Sequence, residues 1–463
     1  MENEKENESK NLQLMASAPI PKAILTLAIP TVFSTIISLV YNLTDTYFIG
    51  LLDDPVQLGA ISLAFPVFLV FQALGNMFGA GAPSYISRCL GAGKYDEVRR
   101  TSAVSVYVSV GMMLVLTVAG LLFMEPIIGV IGTSSDTIGP TRDYLRIVMA
   151  CSVVLILQVI LPAMLRAEGK VKEAVIGMMI GTIVNIVLDP VFIFVFGMGV
   201  SGAALATILS QAVSAAWVLR FLFSAKSGIR IRRGNMKFEK RVVGKVIGLG
   251  IAPFIMQSTE SLVNITLNAG LQRYGGDLYV GSMTIMQSVM QMLVMPIQGI
   301  TQGAQPIMSY NYGAKNYSRV RKTFSLLLKV MLLVTVSGFA LAALLPGVLA
   351  RMFTQDAELI EIVKKMMPIF FGGIWAFGAQ MACQTTFMAL GQAKISLFLA
   401  LLRKVVLLVP LALLLPVVMG GNVLGIYIAE PVADVIASFT TLSLFLIKRK
   451  TLLPDGGAPA KSK

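Results

Sequence analysis

AVIGMMIGTIVNIVLDPVFIFVF, residues 174–196, is an unbroken apolar run with one ionisable group, Asp189. A run of about 20 such residues is long enough to cross a bilayer as a helix. Asn185 and Asp189 are four residues apart, so on a helix they share one face, one turn apart. A carboxylate at membrane depth is costly, and it usually faces a cavity, a partner or a permeating ion. Two readings follow from the pair. It ties two helices together as a structural contact, or it is a cation or proton site.

Working outward, the same kind of run recurs along the chain. Of its 463 residues, 56% are hydrophobic and 13% charged, against about 25% charged in soluble domains. The expected fold class is an all-α polytopic membrane protein. The first six runs are Ala23–Ile49, Leu58–Ala82, Val98–Phe123, Tyr144–Leu165, Ala174–Phe196 and Val200–Phe223. The second six are Lys245–Gly270, Val280–Ile307, Thr323–Leu345, Glu361–Ala389, Ile395–Met419 and Val423–Ile447. The formal net charge of +14 could point to nucleic acid, but the basic residues gather at the ends of runs. They read as topology signals, and nucleic acid is excluded as a partner. Their bias puts both termini on the cytoplasmic side, with Lys94, Arg99, Arg100, Arg166, Lys172, Lys315 and Arg321 in loops of that side. Lys329, Arg403 and Lys404 fall inside apolar runs and are expected to snorkel or to mark helix starts. Residues 1–21 and 451–463 read as disordered cytoplasmic tails.

The chain also repeats itself. Gly81-Ala82, Gly91-Ala92, Tyr95, Val98 and Arg99 recur as Gly303-Ala304, Gly313-Ala314, Tyr317, Val320 and Arg321, a shift of 222. Pro30 recurs as Pro253 and Gly202 as Gly425, a shift of 223. Six spans per copy is an even number, so both copies enter the membrane in the same direction, the parallel-repeat case. Two six-helix lobes are expected, at 22–223 and 245–450, joined by a basic cytoplasmic linker, 224–244. Such chains hold substrate near the midplane between the lobes and rock around it.

At 1.5 Å per residue, Asp45, Asp189 and Thr207 lie roughly 6–10 Å from the outer ends of their runs. Asn185 is one turn below Asp189. Four oxygen-bearing side chains thus reach similar depth in one lobe, and oxygen ligands suit a hard cation or a shared proton. The second lobe does not copy this set: Asp45 maps to Asn268 and Thr207 to Glu430. If the acids were scaffolding, both copies should keep them. The second lobe has its own acids, Glu260, Glu430 and Asp434, and Glu260 lies roughly 15 Å in. Pro30 and Pro253 should bend their helices, either as static kinks or as moving hinges. Met283, Met286 and Met290, with Gln287, offer either an adaptable apolar surface or ordinary filler. No phosphate loop is formed: Gly91-Ala92-Gly93-Lys94 is followed by Tyr95, where Ser or Thr is needed. Histidine is absent, the three cysteines have no metal spacing, and no nucleophile–base set appears. The chain reads as a non-enzyme without a cofactor.

The first run, Ala28-Ile29-Pro30 through Tyr41-Asn42-Leu43-Thr44-Asp45-Thr46-Tyr47-Phe48-Ile49-Gly50, is similar to the first helix of the multidrug and toxic compound extrusion family, MATE. The repeated Gly-Ala-x-x-x-Tyr stretch fits as well, and the resemblance covers nearly the whole chain. It implies twelve helices in two lobes, in a monomer that exports amphipathic, often cationic compounds against inward H+ or Na+ flow. By resemblance to DinF-like members, Asp45, Asn185, Asp189 and Thr207 are coupling residues, with Na+ possible there. Pro30 matches a hinge proline. Glu260 resembles a seventh-helix carboxylate of NorM-like members, and substrate is expected at Glu260, Met283, Met286, Gln287 and Met290. The tenth run lacks the mid-helix aspartate of NorM-like members. The chain as a whole looks like the MepA-like bacterial branch, and that resemblance implies a multi-pass protein of the bacterial inner membrane. A lipid-linked saccharide flippase of the same superfamily is the alternative, although its cavity should be basic for pyrophosphate.

Overall fold

The computed structural model describes residues 12–52, 54–131, 136–224, 227, 229 and 239–454. Among them there are helices and no strands. The first lobe contains α1 (Ile20–Gly50), α2 (Pro55–Gly91), α3 (Tyr95–Leu122), α4 (Met124–Ile131), α5 (Ile138–Ala150), α6 (Ser152–Ala167), α7 (Val171–Pro190) and α8 (Gly199–Phe223). The second contains α9 (Lys240–Tyr274), α10 (Asp277–Gly313), α11 (Tyr317–Leu344), α12 (Pro346–Arg351), α13 (Ala357–Phe370), α14 (Ile374–Ala389), α15 (Ala393–Leu401), α16 (Val409–Val418) and α17 (Leu424–Leu452). Eleven helices or helix sets among the described residues are long and apolar enough to cross a membrane. The bent pair α5–α6 makes a twelfth.

Side-chain and backbone chemistry set the ends. Asp54 caps α2 by accepting from the backbone N–H of Val56 at 2.9 Å, and Pro55 occupies the first turn, where no N–H is needed. Asp356 caps α13 in the same way through Glu358 and Leu359. The turn after α2 holds Gly93 at φ 70°, and its repeat mate after α10 is Lys315 at φ 58°. A lysine there bears the Cβ crowding that glycine avoids.

Four expectations are corrected. Residues 1–11 and 455–463 lie outside the described residues, but residues 12–18 are folded onto the second lobe. Met15 is fully buried, and the Arg319 guanidinium donates to the carbonyls of Leu14, Met15 and Ala18. α9 starts at Lys240, inside the expected linker, most of which lies outside the described residues. Ser227 in that linker is buried and donates to Glu168. The fourth span is two helices bent by 49° at Cys151. Finally, Arg403 and Lys404 are buried inside the second lobe, where the buried Glu430 and Asp434 pair with Arg403 and the half-exposed Glu260 pairs with Lys404.

There are two large apolar cores, one built from α2, α3, α6 and α8 and completed by Val242, Val246 and Leu249 at the start of α9, the other from α10, α11, α14 and α17. The lobes meet through α1 and α2 on one side and α9 and α10 on the other. Small residues allow backbone to touch backbone there. A Cβ on Gly91 would sit 1.8 Å from the Tyr310 carbonyl oxygen, and one on Gly313 would sit 1.9 Å from that of Arg88. Gly91 and Gly313 are repeat mates, and so are Arg88 and Tyr310, so the contact obeys the internal two-fold relation. Gly81 also approaches the Gly250 backbone, and Gly303 that of Ala28, so this pair of contacts matches in the same manner. Lys245 adds a hydrogen bond to the Tyr85 hydroxyl and an ion pair with Glu97 across the lobes. All of these contacts lie on the side of the molecule where the chain's N-terminus sits, in the four inter-lobe helices and, for Glu97, at the start of α3.

Candidate functional site: a buried carboxylate cluster in the first lobe

α7 packs against both α1 and α8, and that junction brings the four expected side chains together. Asn185 and Asp189 are completely buried, and the Asn185 amide donates to Asp189 Oδ1 at 2.9 Å. One turn of helix sets this pair, as the four-residue spacing requires. Across the junction Thr207 Oγ1 approaches Asp45 Oδ1 at 3.5 Å, the outer limit of a hydrogen bond. Asp45 is near enough to act electrostatically on Asp189. Directly after Asp189 comes Pro190, and Val191–Val195 winds as a wide π-turn, a feature often found at functional sites.

The cluster is under-satisfied. Asn185 Oδ1 and Asp189 Oδ2 are buried acceptors without a hydrogen-bond partner. Buried polar groups are nearly always paired, so each orphan calls for an explanation. An added proton or a small cation would satisfy both, and the donor set is all oxygen, which suits H+ or Na+. Two residues that sequence reasoning missed belong here too. The Tyr41 hydroxyl is buried near Thr207, Ser210, Gln211 and Asp45 without a well-formed hydrogen bond, and Gln211 Oε1 is in the same state. Their spacing was available as a signal: Tyr41 precedes Asp45 by one turn, and Gln211 follows Thr207 by one turn.

Pro30 lies inside α1, which continues through it to Gly50. Its neighbour Thr31 donates to the Gly299 carbonyl of α10 at 2.6 Å. The helix is therefore held by the second lobe around Pro30, while its later half carries Asp45.

The expected substrate residues are not brought together as one surface. Met283 and Met286 are at 0% exposure in the core of the second lobe. Their face of α10 packs against the lobe's own helices, so the reading of a methionine surface is corrected to filler. Gln287 donates to Asn264 at 3.0 Å, and Met290 packs at the edge of that core. Glu260 has a side chain 52% exposed and is paired with Lys404 at 2.8 Å. Behind Lys404, Arg403 binds Asp434 at 2.5 Å and Glu430 at 3.1 Å, with its guanidinium over the Phe377 ring.

The MatE family model matches residues 30–191 and again 253–414. The chain belongs to the MatE family. The two matches begin 223 residues apart, the same offset that relates Pro30 to Pro253. This MatE chain is 27% identical over 423 residues to the multidrug export protein MepA of Staphylococcus aureus strain NCTC 8325 / PS 47, covering 91% of this chain and 93% of that one. It is equally similar, 27% over 425 residues with the same coverage, to MepA of Staphylococcus haemolyticus strain JCSC1435. Among solved structures, an outward-facing multidrug resistance MATE transporter of the MOP superfamily superposes with a TM-score of 0.90 at 24% identity, covering 96% of this chain and 98% of that one. The all-helical MatE fold with up to twelve spans is thus shared along nearly the whole chain, and the protein is a multi-pass membrane protein.

Proposed function

We propose that this MatE protein exports amphipathic, often cationic organic compounds in exchange for H+ or Na+, by alternating access. It is a transporter rather than an enzyme, a monomer in the bacterial inner membrane with both termini in the cytoplasm. The observation that carries the coupling is the pair of orphaned acceptors, Asn185 Oδ1 and Asp189 Oδ2, beside Asp45. Two carboxylates in a site poor in water repel each other when both are ionised, and an arriving proton or cation relieves that repulsion. The relief differs between lobe shapes that bring α1 closer to α7 or move it away, so the ion biases one shape over the other. The bias is limited by the ion's differential affinity for the two shapes. α1 links the two lobes through Thr31 and Gly299, which lets a change at Asp45 reach the inter-lobe contact.

Support for the substrate class comes from the MepA relatives' names and from the exposed carboxylate of Glu260 in the second lobe. Efflux of a cationic dye from proteoliposomes, under separately imposed pH and sodium gradients, tests coupling and names the ion. Export at equal rate with neither gradient would overturn the antiport reading.

A further inference from the structure

α9 carries a polar stripe of Gln257, Glu260 and Asn264, each three or four residues from the next and so on one face. Gln257 accepts from Asn76 of α2 at 2.6 Å, so the stripe begins where the two lobes touch. One turn further out, Glu260 turns to its own lobe, and its side chain stays half exposed. Its partner Lys404 has only 7% of its side chain exposed. The ammonium therefore comes from inside the lobe to hold a carboxylate at its surface. The chain around it is wound to allow this: Leu402–Leu408 forms a π-segment that sends Arg403 toward α17 and Lys404 toward α9.

The pair is built differently from the Arg403 contacts behind it. Arg403 is clamped by two acids that are themselves buried, Glu430 and Asp434. Glu260 and Lys404 are joined by a single contact. A cavity beside Lys404 is also lined by Arg403, Met256, Phe377, Gln380 and Gln384. Of these lining residues, Gln380 and Gln384 each have a buried Oε1 acceptor with no hydrogen-bond partner. A lysine ammonium has three donors on a flexible stem, and two residues that line the space beside it carry vacant acceptors.

We propose that Lys404 is a tethered competitor for the substrate's positive charge: it occupies Glu260 in the unloaded transporter, and a cationic compound binds by displacing it toward Gln380 and Gln384. This rests on the reading that Glu260 meets substrate. Binding is then an exchange of one ammonium for another on the same carboxylate. The protein never exposes a bare carboxylate in its cleft, and the cation's affinity is lowered by the contact it must break. A weakened hold is useful to an exporter, because cargo held too tightly is not released.

The test is equilibrium binding to the purified full-length protein in detergent, with ethidium as the monocation and Nile red as the uncharged probe. Lys404→Met keeps the apolar stem and removes the charge. It is expected to tighten ethidium about tenfold, the scale of one charge-assisted hydrogen bond, and to leave Nile red unchanged. Lys404→Arg keeps the competitor and should keep the wild-type ethidium affinity. Glu260→Gln should weaken ethidium alone, and adding Lys404→Met to it should restore no tightening. If Glu260→Gln leaves ethidium binding intact, the reading that Glu260 meets substrate fails. If Glu260→Gln weakens ethidium but Lys404→Met does not tighten it, only the competitor role fails. Should Lys404→Met prove too unstable to purify, Lys404→Gln replaces it under the same expectations. Loss of both probes in either variant would make Lys404 a pillar and overturn the proposal.

Discussion

At the scale of single residues, the first-lobe cluster behaves as a unit. Asn185 fixes one oxygen of Asp189 and leaves the other open, and Asp45 is close enough to feel its charge. Groups that act together are non-additive. Asp45→Asn and Asp189→Asn are each expected to abolish gradient-driven efflux at normal expression. The double variant should be no worse than either single one. Dye binding in detergent should survive, with its dependence on pH or sodium lost. Wild-type gradient-driven efflux by Asp189→Asn, measured in vesicles, would make the pair structural. The four residues were legible beforehand because a carboxylate in an apolar run has few harmless explanations. Tyr41 and Gln211 were not, since a neutral polar side chain gains meaning only when its neighbouring helices are known. Arg403 and Lys404 were misjudged for a related reason. Their partners come from 27, 31 and 144 residues away, where no local pattern reaches.

Among the elements, the long spans followed from hydropathy alone, and the breaks within them did not. α4 and α12 are short helices that start at repeat-mate positions, Met124 and Pro346, where the apolar runs had simply ended. The bend at Cys151 and the π-segment at Val191–Val195 leave the apolar pattern intact, so composition does not reveal them, and at Leu402–Leu408 the Arg403-Lys404 pair marks the place without revealing the winding. α10 shows the converse problem. Its methionines suit a pliable binding surface as well as a core, and only packing decides between the two. With Met286 in the core, Met286→Ala is expected to cost about 2–5 kcal/mol of stability, the range for such truncations. The dye preference should stay as in the wild type. A thermal melt with paired dye-binding curves checks this, and an altered dye preference without loss of stability would return the residue to the substrate site.

For the whole molecule, the repeat was readable from an offset of 222–223 residues between matching glycines and prolines. What the offset does not contain is contact. Gly91 and Gly313 are recognisable as mates in sequence, but their seating on the carbonyls of Tyr310 and Arg88 appears only with the lobes assembled. Orientation follows from charge bias and has a direct check. The Asp96 side chain is 96% exposed at the start of α3, and that of Glu361 is 70% exposed in α13. In a cysteine-free background, an impermeant thiol reagent added to intact cells should label a cysteine at Glu361 and spare one at Asp96. The opposite pattern would invert the topology. Ser227 is unsuited to this purpose because it is buried.

The clasp of Arg319 on residues 14–18 also sets a schedule for biosynthesis. Met15 and Ala18 leave the ribosome about 300 residues before the guanidinium that holds them. At 5–20 residues per second that is a wait of about 15–60 s. Thr31 waits almost as long for Gly299. Until then the first helix can lean only on its own half of the nascent chain, as Ser34 does on Met178. A stalled chain long enough for Phe223 to have cleared the ribosomal exit tunnel should therefore have six inserted spans and a protease-sensitive start. Full-length protein should protect residues 12–18, and equal protection in the stalled chain would show that the newborn N-terminus finds another seat.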